Sequence, residues 1–217
     1  MSIEFSFDAN RHLYLVQGRP VPSVTQVLHS SGLGADYSMV PREVLERKRT
    51  IGQFVHEATQ YLDEGSLDLA SVDPELEPYL SAYQRFLCES GFQPQLIEHR
   101  VVGSIGGMLC GGTVDRVGSM NGQLWIIDLK CVDRLYPGFA VQTAGYELLL
   151  PKPLVLPFKY TRAVLQLRPD GSYKLSPPYE DPSALDVFRA ALITTIWKMN
   201  RGMTIENGLW SELEEVA

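Results

Sequence analysis

The run Trp125-Ile126-Ile127-Asp128-Leu129-Lys130 ends an apolar stretch with a carboxylate and an amine. In a strand, side chains alternate faces, so Asp128 and Lys130 point one way while Ile127 and Leu129 point the other. Charges at the end of such a strand are costly to bury unless they are paired or given a ligand. Gly112-Thr113-Val114-Asp115-Arg116 supplies a second carboxylate, and Asn121-Gly122 between the two runs is a strong two-residue hairpin signal. Asp115 and Asp128 stand equally far from that turn, so a simple register sets them side by side. Two neighbouring carboxylates repel, and a hard divalent cation such as Mg²⁺ relieves the repulsion. A cation held there would polarise a phosphodiester oxygen and acidify a bound water. Lys130, on the same face, would orient that water or offset charge growing on the phosphate. The plainer reading, a cross-strand Asp–Lys salt bridge on a half-exposed sheet, is weakened by Asp115 opposite.

Several elements must position these groups. Residues 2–17 alternate around Asp8-Ala9-Asn10 and predict a short hairpin. Ser23 followed by Gln26 is a capping-box signature for a helix over 24–30. Pro41 suits the first position of a long helix running to about Leu62, with Gly65 as its stop. On that helix Ile51, Val55, Ala58 and Leu62 form an apolar stripe, with Arg49, Gly52, Gln53, His56 and Gln60 opposite. Asp73-Pro74 opens a further helix closed by Gly91. Strands follow over Leu96–Val102, Gly112–Val117 and Gln123–Leu129, with the glycines at 103–112 read as loop and strand entry. A helix over Phe139–Leu149, a hairpin over Tyr160–Leu167 and Tyr173–Leu175, and a helix over Ser183–Met199 complete the chain. The economical organisation is one α/β domain over 1–217, with a hairpin and helical part (1–92) before the sheet core and last helix (93–217).

Taken in order, Gly112-x-x-Asp115, Ile127-Asp128-Leu129-Lys130 and Gln142-Thr143-Ala144-Gly145-Tyr146 resemble the PD-(D/E)XK nuclease superfamily, most closely its RecB-like branch. Gly52-Gln53-Phe54-Val55-His56 resembles that branch's upstream histidine motif. Pro22-Ser23-Val24-Thr25-Gln26-Val27-Leu28 is similar to the start of stand-alone phage exonucleases and of the mitochondrial genome maintenance exonuclease. The likeness spans residues 20–165. It implies a restriction-endonuclease-like core, a central mixed sheet flanked by helices in the order αβββαβ, with an N-terminal helical extension. It also implies that His56, Asp115 and Asp128, with the Leu129 carbonyl, bind Mg²⁺ or Mn²⁺, and that Lys130 is the catalytic lysine. Gln142 and Tyr146, four apart on one helical face, would sit beside the site, and Arg49 would be available to phosphate. Glu98 would support the metal from the preceding strand. By themselves, His56 reads as a surface histidine, Gln142 and Tyr146 as a solvated amide and a core-edge ring, and Glu98 as an exposed edge carboxylate. Cys131 stands where the family commonly has a hydroxyl.

Bulk properties bound the reading. Composition is that of an ordinary globular protein, 45% hydrophobic and 21% charged. No stretch approaches the length of a membrane span, and Glu4 and Asp8 do not fit a signal peptide, so a cytoplasmic protein is expected. Cys88, Cys110 and Cys131 form neither a disulfide framework nor a metal knot, which also excludes an iron–sulfur cluster. A net charge of −7 lowers the expectation of tight non-specific DNA binding. Cations nonetheless cluster at 42–49, and Lys152, Lys159, Arg162 and Arg168 form a second basic zone. Gly107 to Gly112 has P-loop glycine spacing, but Thr113 stands where the lysine belongs. The expected activity is metal-dependent exonucleolytic hydrolysis of DNA in recombination, repair or phage DNA metabolism. The partners would be DNA with free ends and a recombination or replication protein. Without an obvious groove-reading module, an endonuclease of the same superfamily is the near alternative. A non-catalytic DNA-binding or assembly protein is the distant one.

Overall fold

The computed structural model describes residues 3–36, 39–152 and 159–203. The chain begins with a small antiparallel sheet of β1 (Ser6–Asp8), β2 (Leu13–Val16) and β3 (Arg19–Val21). The hairpin expected at 2–17 thus gains a third strand. Its turn sits at Gln17-Gly18, both in the left-handed region, and Pro20 is tolerated because β3 lies at the edge. Helix α1 (Val24–Ser30) starts as its capping box predicts. The Gln26 amide donates to Ser23 Oγ at 3.2 Å, and the Ser23 amide donates to Gln26 Oε1 at 2.8 Å.

Helix α2 (Arg42–Asp63) buries Val55 and Ala58, with Ile51 and Leu62 packed beside them, on the stripe that periodicity selected. Helix α3 (Glu77–Ser90) starts later than expected, because Asp73 caps a turn through the Glu75 amide rather than opening the helix. Gly91, at φ 66°, closes it in the left-handed conformation.

Five strands form the main sheet, in chain order: β4 (Gln93–Ile105), β5 (Met108–Met120), β6 (Gln123–Lys130), β7 (Thr161–Leu167) and β8 (Tyr173–Leu175). Neighbours are antiparallel except β6 and β7, which run parallel and are joined through helix α4 (Gly138–Leu149). The order α3-β4-β5-β6-α4-β7 is the αβββαβ order expected, and helix α5 (Ser183–Met199) follows β8. The glycines at 103–112 are not a loop. Only Gly106-Gly107 turn, both with positive φ, and the flanking residues extend β4 and β5 into one long hairpin.

Side chains of the sheet alternate between two cores. Ile126 packs with α1, α4 and α5 around Val27, Tyr146, Phe188 and Leu192. Ile127 and Leu129 face α2 and α3 around Val55, Tyr83 and Phe86. Each such buried aliphatic chain stabilises the fold by about 1.5–3 kcal/mol. The N-terminal sheet is tied to β5 through Tyr14, whose ring lies over Gly111, and through the Gly111 amide, which donates to the Pro22 carbonyl at 2.9 Å.

The second basic zone does not form as read from sequence. Arg162 is buried, paired with Glu147 at 2.8 Å, and donates to the Ala140 and Tyr179 carbonyls. Its charge is committed to tying β7 to α4. At 42–49, Arg42, Arg47 and Lys48 pair with Glu46, Glu75 and Asp133. No helix among the described residues is long and apolar enough to cross a membrane.

Candidate active site

The Asn121-Gly122 turn closes the β5–β6 ladder with Met120 opposite Gln123 and Arg116 opposite Ile127. The regular pairing ends there, one residue short of Asp115 and Asp128. There Asp115 turns its own carboxylate to the neighbouring strand, and Oδ2 accepts the Leu129 amide at 2.7 Å. Alternation breaks at the same place: Val114 and Val117 both face the α4–α5 core, while Arg116 faces α2 and α3. Across β4, Glu98 sits in the left-handed region at φ 42°. For a non-glycine residue inside a strand this is strain, held by the surrounding contacts.

Helix α2 supplies the third wall. His56 lies on the face opposite the buried stripe, partly covered. Its Nδ1 is 3.3 Å from Glu98 Oε1 and 3.8 Å from Asp115 Oδ1, and its Nε2 is 3.2 Å from the Leu129 carbonyl. Ligating atoms of His56, Glu98 and Asp115 all lie within 4.8 Å of one another. Burial opposes the charge of His56, but Asp115 and Glu98 outweigh it and raise the imidazole pKa. Burial raises the Asp115 pKa, with Glu98 adding to it and His56 opposing.

Asp128 stands beside this group, not within it. It is 1% exposed; Oδ1 accepts from Gln142 Nε2 at 3.0 Å, and Oδ2 lies 2.6 Å from Lys130 Nζ. No well-angled hydrogen bond reaches Oδ2 among the described residues. Burial pushes the Asp128 carboxyl up to about 6, against the pull of Lys130 and with a further push from Asp115. Lys130 also stands over the Phe139 ring, 5.3 Å from its centroid.

Gln142 and Tyr146 converge on this pair from α4. Gln142 Nε2 donates to both Asp128 and the Tyr146 hydroxyl, at 3.0 Å each. Gly112 makes room for them, since a Cβ there would come within 3.2 Å of the Tyr146 ring. Arg49 is exposed on α2, near enough to lower the His29 pKa after burial has done so, but it does not line the cleft. The cleft itself, of about 750 Å³, opens between α2 and the N-terminal sheet and contains His56, Glu98, Asp115, Lys130, Gln142 and Tyr146.

Sequence reasoning passed over Arg116, which is fully buried behind Glu98. It donates to Glu98 Oε1 at 3.0 Å, Asp63 Oδ2 at 2.6 Å, Thr59 Oγ1 at 3.0 Å, the Asp115 carbonyl at 2.7 Å and the Tyr83 hydroxyl at 3.2 Å. With its donors spent this way it fixes the Glu98 side chain from behind. Its only sequence signal was a charge inside a strand otherwise buried on both faces.

No protein-family model matches the chain, and no curated protein sequence does. Among solved structures, an alkaline exonuclease (LHK-Exo) from Laribacter hongkongensis aligns over 91% of this chain and 95% of its own, at 12% identity and a TM-score of 0.47. A protein designated SSO0001 aligns over 81% and 76%, at 12% identity and a TM-score of 0.38. Both are distant likenesses of chain path, and the chemistry open to this chain rests on its own side chains.

Proposed function

We propose that this chain is a Mg²⁺- or Mn²⁺-dependent deoxyribonuclease of the PD-(D/E)XK type, acting as an exonuclease on DNA with free ends. The observation that carries the reading is the convergence of His56, Glu98, Asp115 and Lys130 in one cleft, with the buried Asp128 carboxylate 2.6 Å from the Lys130 amine. The donors suit such an ion: carboxylate oxygens, one imidazole and the Leu129 carbonyl. Buried carboxylates with raised pKa values are short of compensating positive charge, which is the condition a divalent cation relieves. When bound, the cation would polarise a phosphodiester oxygen and acidify its water.

The protein's own groups divide the remaining work. Asp115, Glu98 and His56 would hold the cation, and Asp128 would add negative charge beside them. Lys130 sets the attacking water and offsets charge on the phosphate. Gln142 keeps Asp128 oriented and links it to Tyr146. Arg49 waits outside the cleft for a phosphate further along the strand. A role in recombination, repair or phage DNA metabolism, with a recombination or replication protein as partner, belongs to the same proposal.

The test is digestion of end-labelled single- and double-stranded DNA with Mg²⁺, Mn²⁺ or EDTA, alongside Asp128→Ala and Lys130→Ala. Mononucleotides or short oligonucleotides released from ends by the wild type alone are expected. Cutting of closed circles would make it an endonuclease. Metal-dependent binding without cutting would make it a DNA-binding protein that retains the fold.

A further inference from the structure

Glycines earn their place in a fold through backbone conformation or through close packing, and Gly52 does neither. Gly18, Gly32, Gly65, Gly91 and Gly122 have positive φ, whereas Gly111, Gly118, Gly138 and Gly145 would each drive a Cβ to within 2.6 Å of a neighbour. Gly52 has ordinary helical φ, and a Cβ there would meet nothing within 4 Å. Among the described glycines it alone lacks both reasons. It also sits inside a 22-residue helix, where glycine is the least favoured residue after proline. The fold therefore gains nothing from it.

Its position supplies another reason. Gly52 lies one turn before His56 on the same face of α2, and it lines the cleft that holds the His56–Glu98–Asp115 group. Its helix neighbours in the cleft lining are Gln53, Phe54, Glu57 and Gln60, with Arg49 a turn upstream on the helix but outside that lining. A bare stretch of helix about one turn, roughly 5 Å, from a metal-binding side chain lets a ligand's backbone come against the helix itself. We infer that Gly52 is a substrate-contact position, the notch through which the sugar–phosphate backbone of the cleaved strand passes against α2. This rests on the nuclease reading given above, and it predicts a steric limit at a residue that performs no chemistry.

Gly52→Ala and Gly52→Leu test it without risking the fold, because both raise helix propensity into empty space. Thermal unfolding should be unchanged or shifted upward for both variants. On a single-stranded oligonucleotide with Mg²⁺ or Mn²⁺, KM should rise severalfold for Gly52→Ala and by tens of fold for Gly52→Leu, with kcat much less affected. Fluorescence anisotropy of the same oligonucleotide with Ca²⁺ should show the same graded weakening. A merely structural role would lower the melting temperature and leave this split unmoved. Variants that bind and cut as the wild type does would overturn the inference while leaving the nuclease reading intact. A wild type that neither binds nor cuts would overturn that reading and the inference with it.

Discussion

At the scale of single residues, Asp128 and Lys130 make separable predictions. The folded pKa of Asp128 is raised, from 3.8 to about 6, chiefly by burial. Its ionised form therefore costs the metal-free fold stability, on the order of 3 kcal/mol, that is lost as pH rises from about 4 through 6. Asp128→Asn keeps the acceptor for Gln142 and removes the charge. Metal-free Asp128→Asn should melt above the wild type at pH 8, with the gap narrowing as pH falls towards 4; a gap independent of pH would refute the account. Lys130→Met keeps the packing over Phe139 and removes the amine. Its kcat should fall by about 10²–10³, while Mn²⁺ affinity, followed by calorimetry, stays within a few fold. The hairpin register up to Arg116 opposite Ile127 was legible because an Asn-Gly turn fixes it. The turning of the Asp115 carboxylate to the Leu129 amide was not, because strand alternation breaks there. The strain at Glu98 and the burial of Arg116 were not legible either, because both depend on α2 and α3 folding back over the sheet, and nothing local in Glu98-His99 or Asp115-Arg116 records that.

Elements depend on close approaches that leave clearer traces. A Cβ on Gly111 would lie 2.5 Å from the Tyr14 ring, which seats the N-terminal sheet on β5. Gly111→Ala should cost about 1–3 kcal/mol through overpacking and lower the melting temperature by several degrees, as calorimetry would record. Unchanged melting would mean that the sheet is free to shift. Helix α1 and the β5–β6 hairpin were readable because a capping box and an Asn-Gly turn are local chemistry. The β4–β5 hairpin was read too short, since Gly106-Gly107 lies among further glycines whose reasons are packing against Leu149, Tyr14 and Tyr146. The strand β3 was missed because Pro20 argues against a strand unless the strand is at an edge. Helix α3 was placed a turn early, since the Asp73 cap looks the same whether a turn or a helix follows it.

For the whole molecule, charge is the informative quantity. The net charge is −7, several surface cations are already paired, and the cleft offers few others besides Arg100 and Lys130. Counterion release should therefore be small. Without metal, oligonucleotide binding should be weak, and with Ca²⁺ its log–log salt dependence should have a slope of only about −1 to −3. Anisotropy between low and moderate salt measures it. A steep slope would instead locate a basic track outside the cleft.

Strand β5 concentrates these demands. From 111 to 116 each residue has its own irreplaceable neighbour: a ring over Gly111, another over Gly112, the Tyr14 hydroxyl on Thr113, the core on Val114, the Leu129 amide on Asp115 and five acceptors on Arg116. Such a run has no redundancy. Saturation mutagenesis would find it an unbroken band of intolerance, and divergent descendants of this chain would be traceable by that hexapeptide long after their surfaces had drifted apart.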